Sequence, residues 1–416
     1  MNYFGKPVSG PVEDYGSEVF KAHYQDAYKF FLDLGPLKNT QSSRYFDNKS
    51  YIWNEYLEHD TYDAYWKARN IRQHLKDINI PVMVVGGWFD AEDLFGALHT
   101  YQAIEKQSPN NKNKLVMGPW THGAWASSDW SKFGTYDFGS NTSAYFQDSL
   151  QTTFFNYYLK DKGDFNAAEA TVFETGTHQW RKYNTWPPVN VINTDYFLNA
   201  SKKLSLKKNI TGNSFDEYIS DPKKPVPYTN GIYKNRNNEY MIEDQRFASS
   251  RPDVVVYETD SLTNDLTLTG QITADLFVST SGTDADFIVK LIDVLPATEI
   301  TSAKLPGGTT MAGFQRLVRA EVMRGKFRNS FEKPEAFEPN KISKVHFFLN
   351  DVSHTFRKGH RIMVQVQSSW FPLVDLNPQK FMPIPEAEEK DFQKANIKIY
   401  HDAEHQSKLI LPVFKQ

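Results

Sequence analysis

Two short segments contain side chains whose types and spacing can do acid-base chemistry. The first is Gly86-Gly87-Trp88-Phe89-Asp90-Ala91-Glu92-Asp93, the second Gly118-Pro119-Trp120-Thr121-His122-Gly123. A carboxylate held beside an imidazole fixes its tautomer and stabilises it once it takes a proton, so Asp90 and His122 are candidates for the acid and base that activate a nucleophile. Glu92 and Asp93 place two more carboxylates beside Asp90. Taken singly, Asp90 reads as a loop acid, His122 as a loop histidine and Asp93 as a helix N-cap with Glu92 favoured by the helix dipole. Their joint placement is what raises the catalytic reading.

That placement depends on the elements around them. Pro81-Val82-Met83-Val84-Val85 is a short apolar run ending at Gly86-Gly87, as expected of a strand buried on both faces of a parallel sheet. Leu94, Ala97, Leu98 and Tyr101 then follow at helical spacing, with Asp93 at the start. A second buried run, Leu115-Val116-Met117, stops at Gly118-Pro119. Adjacent parallel strands bring their C-terminal loops together, which is where open α/β sheets place ligands. An acid after one strand and a histidine after the next is the chain order of α/β-hydrolases.

Three regions are expected. Residues 1–78 read as a helical cap, with Phe20, Tyr24, Ala27 and Phe31 at helical spacing before Gly35-Pro36, and Tyr51, Trp53, Tyr56, Tyr65 and Trp66 in a second aromatic stretch. Residues 79–167 alternate strand and helix, the last helix running over 142–159. Residues 168–416 carry short β-rich runs between turns, beginning with Thr171-Val172-Phe173, and read as a jelly-roll β-sandwich. The fold class is therefore α/β plus all-β.

A net charge of −3 without a basic run gives no sign of a nucleic-acid partner. With no cysteine, disulfides and thiolate metal sites are excluded. His178, His354, His360, His401 and His405 show no metal-ligand spacing with nearby acids, so neither metal nor cofactor is expected. No run approaches the roughly eighteen apolar residues of a membrane span, and no membrane partner is expected. The first residues show no export signal, and the compartment stays unassigned.

The segments GGWFDAED and LVMGPWTHG resemble the α-amino-acid ester hydrolases and glutaryl-cephalosporin acylase-like enzymes, within the family of cocaine esterase and the X-Pro dipeptidyl-peptidases. The similarity continues through Ser249–Val254, STSGTDADFIVKLID (Ser279–Asp293) and KGHRIMVQVQSSWFP (Lys358–Pro372). It implies an α/β-hydrolase core, an inserted helical cap and a C-terminal jelly roll. It implies too that Asp90 is the triad acid and His122 the triad base, and that Glu92 and Asp93 belong to a carboxylate cluster binding a substrate's α-ammonium group. The partner is then a small molecule with a free α-amino group; a homo-oligomer is left open for a full-length form.

The family's nucleophile sits in a G-x-S-x-G elbow, and no serine here has a glycine two places before and two after. Gly212-Asn213-Ser214 comes nearest, with Asp216 in place of the second glycine. The expectation is a C-terminal part of the hydrolase, from a truncated gene product, inactive alone because serine and oxyanion donor are both missing. One half of a split enzyme and a non-catalytic binding protein are the alternatives, the latter with Trp180, Trp186 or Trp370 as an aromatic platform, although a buried core role is the commoner reading of each. A chain released from catalysis has no physical reason to keep Asp90, Glu92, Asp93 and His122 together.

Overall fold

A computed structural model describes residues 20, 23–208, 214–302, 305 and 308–415. The helical expectation for the start of the chain holds only in part. Helix α1 spans Ala27–Leu34, opened by the Asp26 carboxylate, which accepts from the Lys29 N–H at 3.0 Å, and closed by Gly35 at φ +71°. Phe20 and Tyr24, expected on the same helix, lie before that cap. Their rings instead fold back onto Phe30, at 6.3 and 4.3 Å between centroids. Two further short helices follow, α2 (Tyr51–Glu58) and α3 (Ala64–Arg69).

The first sheet carries the candidate loops. Strand β1 (Val82–Gly87) pairs in parallel with β2 (Asn113–Gly118), and α4 (Leu94–Gln107) makes the crossover. Leu94, Leu98, Tyr101 and Ile104 are the buried face of α4, spaced three and four residues apart. They pack in one core with Leu115 and Met117 of β2. Full burial of one such leucine contributes about 1.5–3 kcal/mol. A two-residue hairpin, β3 (Lys132–Phe133) with β4 (Tyr136–Asp137), precedes a long helical stretch. That stretch runs through α5 (Thr142–Ala144), a π-helical segment (Tyr145–Gln151) and α6 (Thr152–Lys160).

Thr171-Val172-Phe173, read from the sequence as the first run of the β-rich part, belongs to the first sheet. Strand β5 (Ala170–Glu174) pairs in parallel with β2, and β6 (Gln179–Tyr183) adds an antiparallel edge, giving the order β1-β2-β5-β6. All five residues of β5 are buried, as expected of a strand covered on both faces. The other edge of β1 carries no strand among the described residues.

The rest is all-β. Strands β7 (Val191–Asn199), β8 (Lys203–Ser205), β9 (Phe215–Ser220), β10 (Val255–Glu258), β11 (Leu266–Thr280), β12 (Asp286–Val294), β13 (Gln315–Arg324), β14 (Ser343–Phe356), β15 (Arg361–Gln367), β16 (Ala395–Tyr400) and β17 (Lys408–Phe414) form one eleven-stranded sheet. It folds over on itself: Phe287, Leu291 and Val364 share a core with Leu268, Ile397 and Leu409. Trp186 and Trp370 are buried and Trp180 is half-buried against Trp120, so none of the three is an open aromatic platform. Arg319 donates to the Trp88 carbonyl at 3.0 Å and so ties this region to the end of β1, and the Trp186 indole N–H, just past β6, donates to Asp351 at 2.7 Å.

Candidate active site

The two loops are held together before any functional side chain is considered. Gly87 and Gly118 are partners in the β1–β2 register, and beyond them Trp88 N–H donates to the Gly118 carbonyl at 2.8 Å and Phe89 N–H to that of Trp120 at 3.0 Å. The approach leaves no room for a side chain. A Cβ on Gly87 would lie 2.1 Å from the Trp120 carbonyl oxygen, and one on Gly118 would lie 2.4 Å from the Trp120 ring. Trp88 and Trp120 are themselves buried and anchor both loops.

On this base Asp90 and His122 meet. Asp90 Oδ2 is 3.1 Å from His122 Nδ1, and Asp90 Oδ1 accepts the backbone N–H groups of Glu92 at 2.8 Å and Asp93 at 3.0 Å. Both carboxylate oxygens are therefore committed, and the Asp90 side chain is only 2% exposed. Donation from Nδ1 to the carboxylate leaves Nε2 with its lone pair free to accept a proton. The His122 side chain is 47% exposed, so that nitrogen has space to work in. Its hydrogen bond to Asp90, reinforced by the charges of Asp90, Glu92 and Asp93, raises the imidazole pKa above the ordinary histidine value. Among the described residues no serine is hydrogen-bonded to His122.

The other two predicted residues divide. Asp93 Oδ2 lies 3.5 Å from His122 Nδ1, and the side chain is exposed. It stands at the N-cap position of α4 without a side-chain capping hydrogen bond, while its own backbone N–H donates to Asp90. Glu92 instead meets Arg236, whose Nη2 donates to Oε1 at 2.6 Å. That bond holds the Glu92 carboxyl below its usual range. Asn238 orients the guanidinium through Nε at 3.0 Å. Sequence reading missed Arg236, which sits in the polar run Lys234-Asn235-Arg236-Asn237-Asn238, where no periodicity points to a partner. Behind the acids, Asp90, Glu92, Phe95, Tyr240, Arg319 and Trp370 line a cavity of about 290 Å³.

The arrangement is an oriented base with an acid behind it and a carboxylate-rich rim. That combination can deprotonate a hydroxyl and hold a cation nearby. Known proteins share the sequence and the shape of the chain. The family described as the X-Pro dipeptidyl-peptidase C-terminal non-catalytic domain matches residues 165–410, and X-Pro dipeptidyl-peptidase (S15 family) matches residues 19–124. Cocaine esterase from Rhodococcus sp. (strain MB1 Bresler) is 29% identical over 380 residues, covering 88% of this chain and 62% of its own. An aminopeptidase from the marine sediment archaeon Thaumarchaeota archaeon superposes with TM-score 0.90 at 33% identity, over 96% of this chain and 66% of that one. An α-amino acid ester hydrolase gives TM-score 0.91 at 33% identity, over 99% and 68%. The chain thus spans about two thirds of the length of these relatives. It belongs to the cocaine esterase and X-Pro dipeptidyl-peptidase family of α/β-hydrolases.

Proposed function

We propose that this chain carries the acid and base of a serine hydrolase acting on esters or amides of substrates with a free α-amino group, and that the nucleophile is a serine from outside these 416 residues. One observation carries the reading: Asp90 is buried with both oxygens engaged, and the imidazole it orients keeps Nε2 free. In the assembled site the serine hydroxyl gives its proton to His122 Nε2 as its oxygen attacks the carbonyl. His122 then returns that proton to the leaving alcohol or amine. Water repeats the sequence on the acyl-enzyme, and the chain alone is inactive. Asp90 does not change protonation; it holds the ring and offsets its charge.

The α-ammonium reading is supported by Asp93, exposed beside His122, and by Glu92. Two of the relatives are named as an aminopeptidase and an amino acid ester hydrolase. An ammonium arriving at Glu92 competes with Arg236, so the Glu92 site is exchanged rather than filled. The test supplies a G-x-S-x-G segment to this chain and measures hydrolysis of an α-amino ester beside its N-acetyl analogue. The free amine is expected to be the better substrate, and His122→Ala is expected to lower kcat by about 10⁴-fold or more. An assembled enzyme whose activity survives His122→Ala would remove the assignment.

A further inference from the structure

A second cavity, of about 330 Å³, lies where the β3–β4 hairpin and the β5–β6 turn meet the all-β region. Its wall includes Lys132, Tyr136, His178, Arg316, Arg357 and His360. The proposed hydrolase chemistry uses none of these residues. The wall is rich in donors, and one of its cations is unusual.

Arg316 is 6% exposed, yet it forms no ion pair among the described residues, and its Nε has no hydrogen-bond partner. Its guanidinium lies over the Tyr136 ring, 3.8 Å from the centroid, which steadies the charge without neutralising it. The acid facing it, Asp293, is its direct partner in the β12–β13 register. Both oxygens of that acid are already committed, to His360 Nδ1 at 2.8 Å and His354 Nε2 at 3.3 Å. The remaining charges are paired or open to water: Lys132 with Asp137 at 3.7 Å, Arg357 with Asp265 at 3.1 Å, and Glu299 exposed on the rim. A buried guanidinium with no carboxylate in ion-pair contact keeps donors unspent, and a planar oxyanion is what its fork of donors fits.

We propose that this cavity is a binding site for a small oxyanion, a carboxylate or phosphate group, held by Arg316 from below and by Arg357 at the mouth. The two sources share the same chemistry, an oxygen-rich anion matched to a guanidinium fork. His178 stands in the same wall. Burial first, and then the charges of Arg316, His354 and Arg357, push its pKa down to about 4. It therefore faces the cavity as a neutral imidazole at pH 7, able to donate to the ligand from one nitrogen. His360, engaged through Nδ1, keeps Nε2 for the same purpose. The cavity is larger than a bare ion requires, so a ligand with a small organic body is accommodated. Its floor reaches the candidate site: the Tyr136 ring packs 5.7 Å from that of Phe89, the residue before Asp90.

The test titrates the whole chain at pH 7 with inorganic phosphate and, separately, with acetate, by calorimetry and by histidine NMR. Saturable binding is expected, with a Kd of about 1 mM or below. Shifts should fall on the His178 and His360 signals and leave those of His405 in place. Arg316→Lys should weaken binding at least tenfold, and the partly exposed Arg357→Gln several-fold. The second variant keeps the test valid should the buried substitution impair folding. A response to phosphate alone assigns a phosphate ligand, to acetate alone a carboxylate, and to both a general oxyanion site. No saturable binding of either, or binding indifferent to both substitutions, overturns the proposal.

Discussion

Asp90 with His122, and Asp293 with His354 and His360, are built from the same two side chains and behave in opposite ways. In both, a buried aspartate accepts from imidazole nitrogens at about hydrogen-bond distance. His122, however, leaves 47% of its side chain open, whereas His354 leaves 1% and His360 13%. His354 has spent its second nitrogen as well, on Thr175 Oγ1 at 2.8 Å. For Asp293, burial alone would raise the pKa, but the hydrogen bonds from His354 and His360 outweigh it and hold the carboxyl below its usual range. The Asp293–His354 pair is thus a structural joint, with both imidazole nitrogens used, and His360 keeps one nitrogen only toward the neighbouring cavity at 13% exposure. An aspartate–histidine pair becomes a candidate base when its free nitrogen is broadly open, as at His122.

This contrast can be broken from either side. The largest effect is expected at Asp90→Asn in a reconstituted, serine-bearing enzyme: kcat falls by about 10⁴-fold through loss of the correct tautomer, while the melting temperature hardly moves. Next, Asp293→Ala should cost about 3–5 kcal/mol of unfolding free energy, because it strands buried partners; urea titration measures it. Were Asp90→Asn to destabilise the fold as much as Asp293→Ala, the distinction between joint and base would fail.

A third expectation concerns acid stability. Burial pushes Asp351 up to about 6, with the Trp186 hydrogen bond and Arg319 opposing. A carboxyl raised on folding binds more protons in the native state than in the unfolded chain. Its share of stability therefore falls as pH rises from about 4 to about 6, by at most about 3 kcal/mol. Asp351→Asn should flatten the stability–pH curve in that window. A curve of unchanged slope would contradict the assignment. The smallest effect is at Arg236→Gln. Freeing Glu92 from its guanidinium adds negative potential at His122, so the imidazole pKa, already raised, should rise further. Histidine NMR on the chain as it stands reads this, and a fall instead would show that Arg236 does not screen the site.

The sequence was most informative where local chemistry decides structure. Short apolar runs ending in Gly86-Gly87 and Gly118-Pro119 marked two parallel strands, and both loops lie at their C-terminal ends. It was least informative where the deciding partner is far along the chain. The bond from Arg236 to Glu92 spans 144 residues and that from Arg319 to Trp88 spans 231, so no spacing rule reaches either. Helix α1 begins later than periodicity suggested because one carboxylate, Asp26, closes off its first turn. The run Thr171-Val172-Phe173 is too short to reveal its sheet. Only its pairing with Leu115–Met117 through Ala170–Val172 does so.

The crossing of the two loops at Gly87 and Gly118 also has a consequence for how the protein can vary. The separation between acid and base is set by backbone meeting backbone, with space for a hydrogen atom and none for a methyl. Selection therefore has no graded dial there. In a saturation library scored for folded protein, position 87 should return glycine alone, while the exposed Asp93 tolerates many replacements. Variation in what this site accepts must come from the rim, since the distance beneath it cannot be tuned.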